Sequence, residues 1–288
     1  MNNIFNIRRF GKYLAADTGI CAANYGLSMA LISFMGLIIY AGTIIMGLIF
    51  NGKWGGPEIG FRVSAFAISA FVLILTMPVK CYGRITEKKY GSQWLMIPVS
   101  SFEKALSMII TNVFLIPAVF CIVYLGVDAI LCAVDGTCGT SIIGSISEIT
   151  GIIVNINIAS SYDLSQFPNL AAFIKQVTCP WLYIDDIIGM FLITLAGAIF
   201  FETGKTAKTI LFYIAISFVL GITVTPFANA FFKEFAELSF TADTPENMNR
   251  LFGAGIFRHV ALIDTINDTI VNLVLIAVIY FRVKNLKH

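Results

Sequence analysis

Gly204-Lys205-Thr206 is the one triplet in the chain with the look of nucleotide chemistry. A phosphate-binding loop ends in Gly-Lys-Ser/Thr because backbone N–H groups cradle the phosphates while the lysine reaches the outer ones. It also needs a glycine five residues before the last. Ile199 holds that position, and an apolar run stands where the preceding strand would be. The triplet reads as a basic turn between two apolar helices, and ATP is not bound by this route.

The other reactive side chains are sparse. The cysteines are Cys21, Cys81, Cys121, Cys132, Cys138 and Cys179, with no C-x-x-C pair, and the histidines are His259 and His288. That spacing excludes the usual structural zinc sites. His259 precedes Asp264 and Asp268 by offsets that do not share a helical face, so it reads as an interfacial histidine. No catalytic, cofactor or metal constellation is apparent, and the chain is not expected to be an enzyme. Asp264, Asp268 and Asn272 recur every four residues and fall on one face of a helix. Such a face either lines a polar path or supplies interhelical hydrogen bonds. Cys132, Cys138 and Cys179 fall on the side argued below to be the oxidising one. Either two of them pair, with Cys138 to Cys179 the preferred bridge, or all three remain thiols.

The elements that must hold these residues are set by composition. The chain is 288 residues, 58% hydrophobic and 12% charged, with mean hydropathy +0.85. Soluble domains carry about 25% charged residues, so this is a polytopic membrane protein. A net charge of +2 gives no footprint for nucleic acid. Residues 4–15, IFNIRRFGKYLA, mix apolar and basic positions and suit an interfacial helix lying on membrane lipid. Six apolar runs of spanning length follow: 27–50, 60–79, 105–127, 184–201, 207–228 and 262–281. Val154, Ile156 and Ile158 alternate with two asparagines, so 142–158 reads as a surface element and not a seventh span. Pro78, Pro117 and Pro226 are expected to kink spans locally.

With the N-terminus inside, the inner segments hold Arg8, Arg9, Lys12, Lys80, Arg84, Lys88, Lys89, Lys104, Lys205, Lys208, Arg282, Lys284 and Lys287. The outer segments, 51–59, 128–183 and 229–261, and their flanks hold Lys53, Arg62, Lys175, Lys233, Arg250 and Arg258. The bias places both termini in the cytoplasm, as an even number of spans requires. The expected fold is an all-α polytopic membrane protein: one transmembrane domain over 1–288, with an interfacial N-terminal helix and six transmembrane helices. Asp128, Asp185, Asp186, Asp264 and Asp268 all fall at outer span ends, so the midplane carboxylate of a coupled carrier is missing.

The loop 80–104, KCYGRITEKKYGSQWLMIPVSSFEK, is the most distinctive stretch. Tyr90, Trp94 and Ile97 share one helical face, Pro98 ends that piece, and Ser100 precedes Glu103 at capping-box spacing. A basic, amphipathic cytoplasmic loop is either an anchor on anionic lipid or a docking surface for a partner.

The run Glu87, Tyr90-Gly91-Ser92, Leu95-Met96-Ile97-Pro98-Val99-Ser100 and Glu103-Lys104 resembles the first cytoplasmic loop of permease subunits of type-two ABC exporters. More narrowly it is similar to short permease-like proteins of Bacteroides-type bacteria. Phe200-Phe201 followed by Lys208-Thr209, and the opening IFNIRRFGKYL, add to the resemblance. It implies a multi-pass protein of the bacterial inner membrane that couples ATP hydrolysis in a separate ABC ATPase subunit to export. It also implies a second permease copy or paralogue, and puts Glu87, Lys88, Tyr90, Gly91, Trp94, Leu95 and Pro98 at the ATPase contact. The chain departs from the family in its long outer segments 128–183 and 229–261, the latter with Asp243, Glu246 and Arg250. The alternative from another class is a scaffold or sensor that keeps the fold and does not stimulate an ATPase.

Overall fold

The structure, a computed structural model, describes residues 5–145, 180–219, 221–222 and 256–286, with the backbone alone at 51, 88, 89, 180–183 and 256–265. All regular structure among these residues is helical. The chain divides into two compact units. One comprises Met1–Ile146, Met190–Ile210 and Leu275–His288; the other comprises Ser147–Gly189 and Leu211–Val274.

In the first unit, α1 (Ile7–Ser33) starts where the Asn6 side chain accepts from the backbone N–H of Arg8 and Arg9, an N-cap that satisfies donors the first turn would otherwise orphan. The expected interfacial helix is thus the opening of a 27-residue helix. The expected first span, 27–50, is not continuous. The Ser33 hydroxyl bonds back to Met29 O, Phe34 leaves the helical region (φ −85°, ψ 5°), and α2 (Met35–Asn51) begins. Serine back-bonding of this kind bends helices.

Pro78 lies inside α3 (Ile59–Tyr82), which continues for a further turn. After a 3₁₀ turn, Gly83–Thr86, comes α4 (Lys88–Leu95), then α5 (Ser101–Ile109). A π turn, Ile110–Leu115, joins α5 to α6 (Ile116–Val134). Pro117 removes the N–H that an α-helix would use one turn earlier, and the wider turn just before it absorbs that loss. There follow α7 (Pro180–Phe200), α8 (205–219) and α9 (Ile256–Lys284).

Four described stretches are long and apolar enough to cross a membrane: Ile7–Phe50, Ile59–Thr86, Ser101–Val134 and Ile266–Lys284. Leu27, Ile49, Phe50 and Ile122 on them are exposed. Apolar side chains on the outside invert the pattern of a water-soluble protein and match a lipid environment. The interior of the first unit is also apolar, built on Leu73, Met77, Met108, Leu192, Leu195 and Ile199, with Phe66, Phe120 and Tyr124 in mutual ring contact.

In the second unit, Asp185 of α7 meets α9. Asn272 donates to Asp185 O at 3.1 Å and Oδ1 at 2.8 Å, and Thr269 donates to Oδ2 at 2.9 Å. Gly189, one turn on, lets this pair close: a Cβ there would stand 2.9 Å from Asn272 Oδ1.

Candidate functional site

The loop 80–104 folds into two helical pieces, α4 and α5, but α4 stops at Leu95, so Ile97 lies past the helix end and not on its face. The Ser100 hydroxyl accepts from Glu103 N, and the Glu103 carboxylate accepts from Ser100 N, completing the capping box. Glu103 is fully buried because it also takes Asn6 N at 2.9 Å and the Arg9 guanidinium through Nε and Nη2. One carboxylate therefore starts α5 and fastens the beginning of α1 to it, with charge-assisted bonds stronger than neutral ones.

Two lysines brace the loop from other directions. Lys104 Nζ donates to Trp94 O and Leu95 O, the open carbonyls at the end of α4, and stands 4.6 Å from the Trp94 ring centroid. A cation at a helix C-terminus also complements the helix dipole. Lys205 follows Gly204, whose positive φ (60°) turns the hairpin, and its Nζ donates to Gly83 O and Thr86 Oγ1. Burial pulls the Lys205 ammonium below its usual range, opposed by the Glu87 and Glu202 carboxylates. The Gly-Lys-Thr triplet is thus a strut between two loops.

Tyr90, Trp94 and Ile97 line a cavity of about 220 Å³. Its opposite wall is α1, through Tyr13, Asp17, Ile20, Cys21 and Asn24, and its end is Cys81 and Tyr82 of α3. Cys21 and Cys81 form a disulfide there. Asp17 Oδ2 accepts from Tyr82 Oη at 3.0 Å and Ser107 Oγ at 2.7 Å.

The residues expected at a partner contact therefore separate. Glu87 and Pro98 are exposed, Tyr90 and Leu95 are half-buried, and Gly91 and Trp94 are buried against the chain's own helices. Only the backbone of Lys88 is described. In the polar stripe, Asn272 is buried and bonded to Asp185, Asp268 is half-buried, and the Asp264 side chain lies outside the described residues. Cys138 is a free thiol, as are Cys121 and Cys132, so the preferred bridge from Cys138 to Cys179 is not formed. Cys179, the alternating segment 154–158, Pro226 and the outer stretch 229–255 lie outside the described residues.

Sequence reasoning missed the α1 wall. Tyr13, Asp17, Ile20 and Asn24 follow helical spacing, and an aspartate in the middle of that stripe was the available signal. It also missed the pairing of Arg62 with Asp128 and of Cys21 with Cys81. Comparison with protein-family models, with curated proteins and with solved structures returned no match.

Proposed function

We propose that this chain is the membrane-spanning subunit of an ATP-driven exporter, with loop 80–104 docking on a separate ATPase subunit. The observation that carries the reading is the bracing of the loop. Glu103 ties it to α1, Lys104 locks the end of α4, and Lys205 ties it to the hairpin before α8. A lipid anchor needs only basic and apolar surface; a lever needs stiff connections to the helices it moves. In this reading the chain has six spans and both termini in the cytoplasm of a bacterial inner membrane, and pairs with a second copy or a paralogue.

The surface for the partner is then the exposed rim, Arg84, Glu87, Gln93, Met96 and Pro98, and not the buried Trp94. The test is co-purification from detergent with a candidate ABC ATPase subunit, hydrolysis being assayed on the same sample. Met96→Asp puts a charge at an apolar residue that is 80% exposed, so it spares the fold, and it is expected to abolish capture and stimulation. Glu87→Ala is expected to give a milder loss, since an exposed ion pair is worth about 0–1 kcal/mol. Undiminished capture and hydrolysis by Met96→Asp would return the loop to the role of an anchor.

A further inference from the structure

The cavity between α1, α3 and α4 is built around a carboxylate with no counter-charge. Asp17 forms no ion pair among the described residues, and both of its hydrogen bonds come from neutral hydroxyls, Tyr82 and Ser107. No Lys, Arg or His lines the cavity. Lys104, the nearest braced cation to Trp94, is engaged with the carbonyls of α4. Asp17 is half-buried; a partly desolvated carboxylate without a cation carries a cost that a cation relieves.

The rest of the lining narrows what that cation is. Tyr13, Tyr82, Tyr90 and Trp94 surround the site with aromatic rings, whose faces attract ammonium groups, and aromatic cages are the recurrent solution for alkylated ammonium. Tyr13 and Trp94 are each only 7% exposed, and the Trp94 indole N–H faces the Tyr13 hydroxyl. The volume, about 220 Å³, is the liquid share of about seven waters at ~30 Å³ each, enough for a small organic ion and too much for a bare metal. We propose that this cavity binds an alkylammonium group, with Asp17 as the counter-charge and the tyrosines and Trp94 as the cage. Both a free amino alcohol and a lipid headgroup present that chemistry. The inference is independent of whether the rim of the loop docks an ATPase.

Trp94 is the natural reporter, because the only other tryptophans are Trp54 and Trp181. In a Trp54→Phe, Trp181→Phe background, in nanodiscs of phosphatidylglycerol alone, choline is expected to change Trp94 emission saturably. The uncharged isostere, with carbon in place of nitrogen, is expected to leave it unchanged. Asp17→Asn, which keeps the shape and a hydrogen-bonding group, is expected to weaken choline by about tenfold or more. Tyr90→Leu, at the half-buried edge, is expected to weaken it without touching Asp17 and carries the test if Asp17→Asn does not fold. With phosphatidylcholine in the nanodisc, loss of the response to free choline assigns the site to a lipid headgroup. An unchanged response assigns it to a free amine. No saturable response in phosphatidylglycerol, an equal response to the isostere, or undiminished binding by the folded variants overturns the proposal.

Discussion

Arg62 of α3 and Asp128 of α6 form a buried ion pair, Nη1 to Oδ1 at 2.8 Å, that also closes the turn after α6. The second guanidinium nitrogen, Nη2, donates to Cys138 O and Thr140 O, while Asp128 Oδ2 accepts from Ile142 N. Two charges thus neutralise each other and satisfy three backbone groups that would otherwise be buried unpaired. This is the condition under which a buried pair can hold structure despite its desolvation cost.

Arg62→Met should therefore be severe. It strands the Asp128 carboxylate and two carbonyls, and loss of one partner of a buried pair costs about 3–5 kcal/mol. Thermal unfolding in detergent should show the drop, with hydrogen exchange accelerated at 138–142. The double variant Arg62→Met, Asp128→Leu should recover much of the loss, because no charge is left unpaired. Equal stability of the single and double variants would show that the charges are not what holds the turn.

Cys138 sits inside that turn, and its thiol should be slow to react. Burial, with the nearby Asp135 carboxylate second, pushes it up to about 11. Asp135 itself is held well below the usual carboxylate range by the Tyr40 hydroxyl and by Thr137, so it stays charged. The thiolate is the reacting form. At pH 8 a thiol near 11 is about one part in a thousand ionised, so alkylation should run about a hundredfold slower than at an exposed cysteine. Timed alkylation read by mass spectrometry gives the rate, which Asp135→Asn should increase. A rate in the folded protein equal to that of an exposed thiol would contradict this account.

The Cys21–Cys81 bridge offers a test of orientation. If loop 80–104 faces the cytoplasm, both sulfurs lie on the reducing side, where thiols are kept reduced. Alkylation in intact cells with a permeant reagent, before lysis, should then find both as thiols. Protein isolated in air should show the bridge. A bridge already complete in the cell would place the loop on the oxidising side and reverse the topology.

Lys205→Met tests the strut. It removes the donors to Gly83 O and Thr86 Oγ1, a loss of about 1–3 kcal/mol when a buried acceptor is left unmet. Hydrogen exchange should rise at 83–87 while α5, held by Glu103, stays protected. Unchanged exchange across 83–87 would mean that the hairpin does not brace the loop.

Asn272 shows how a pattern can locate a residue and leave its role open. The four-residue repeat correctly puts it on one helical face with Asp268, yet a polar path and a packing bond have the same spacing. Asp185, 87 positions away, takes the Asn272 amide, a contact that the spacing does not encode. The capping box is the opposite case. Ser100 and Glu103 are three apart, the bonds between them are made within one turn, and they are legible before any tertiary contact forms. The same holds for Tyr90 and Trp94 sharing a face of α4 and for Gly204 as the hairpin turn, since each depends on neighbours within four residues.

What the sequence by itself determined was the chain's apolar, helical character and the local punctuation of its helices, because hydropathy and capping act over short separations. Only the tertiary structure decided that Trp94 turns inward, that Lys205 braces another loop, and that Cys21 meets Cys81 across 60 positions. It alone put Asp17 at the back of an aromatic cavity. Those contacts join helices far apart in the chain, and no spacing rule encodes which faces meet. They follow from how whole helices pack, where burial of one charge or ring depends on every element around it.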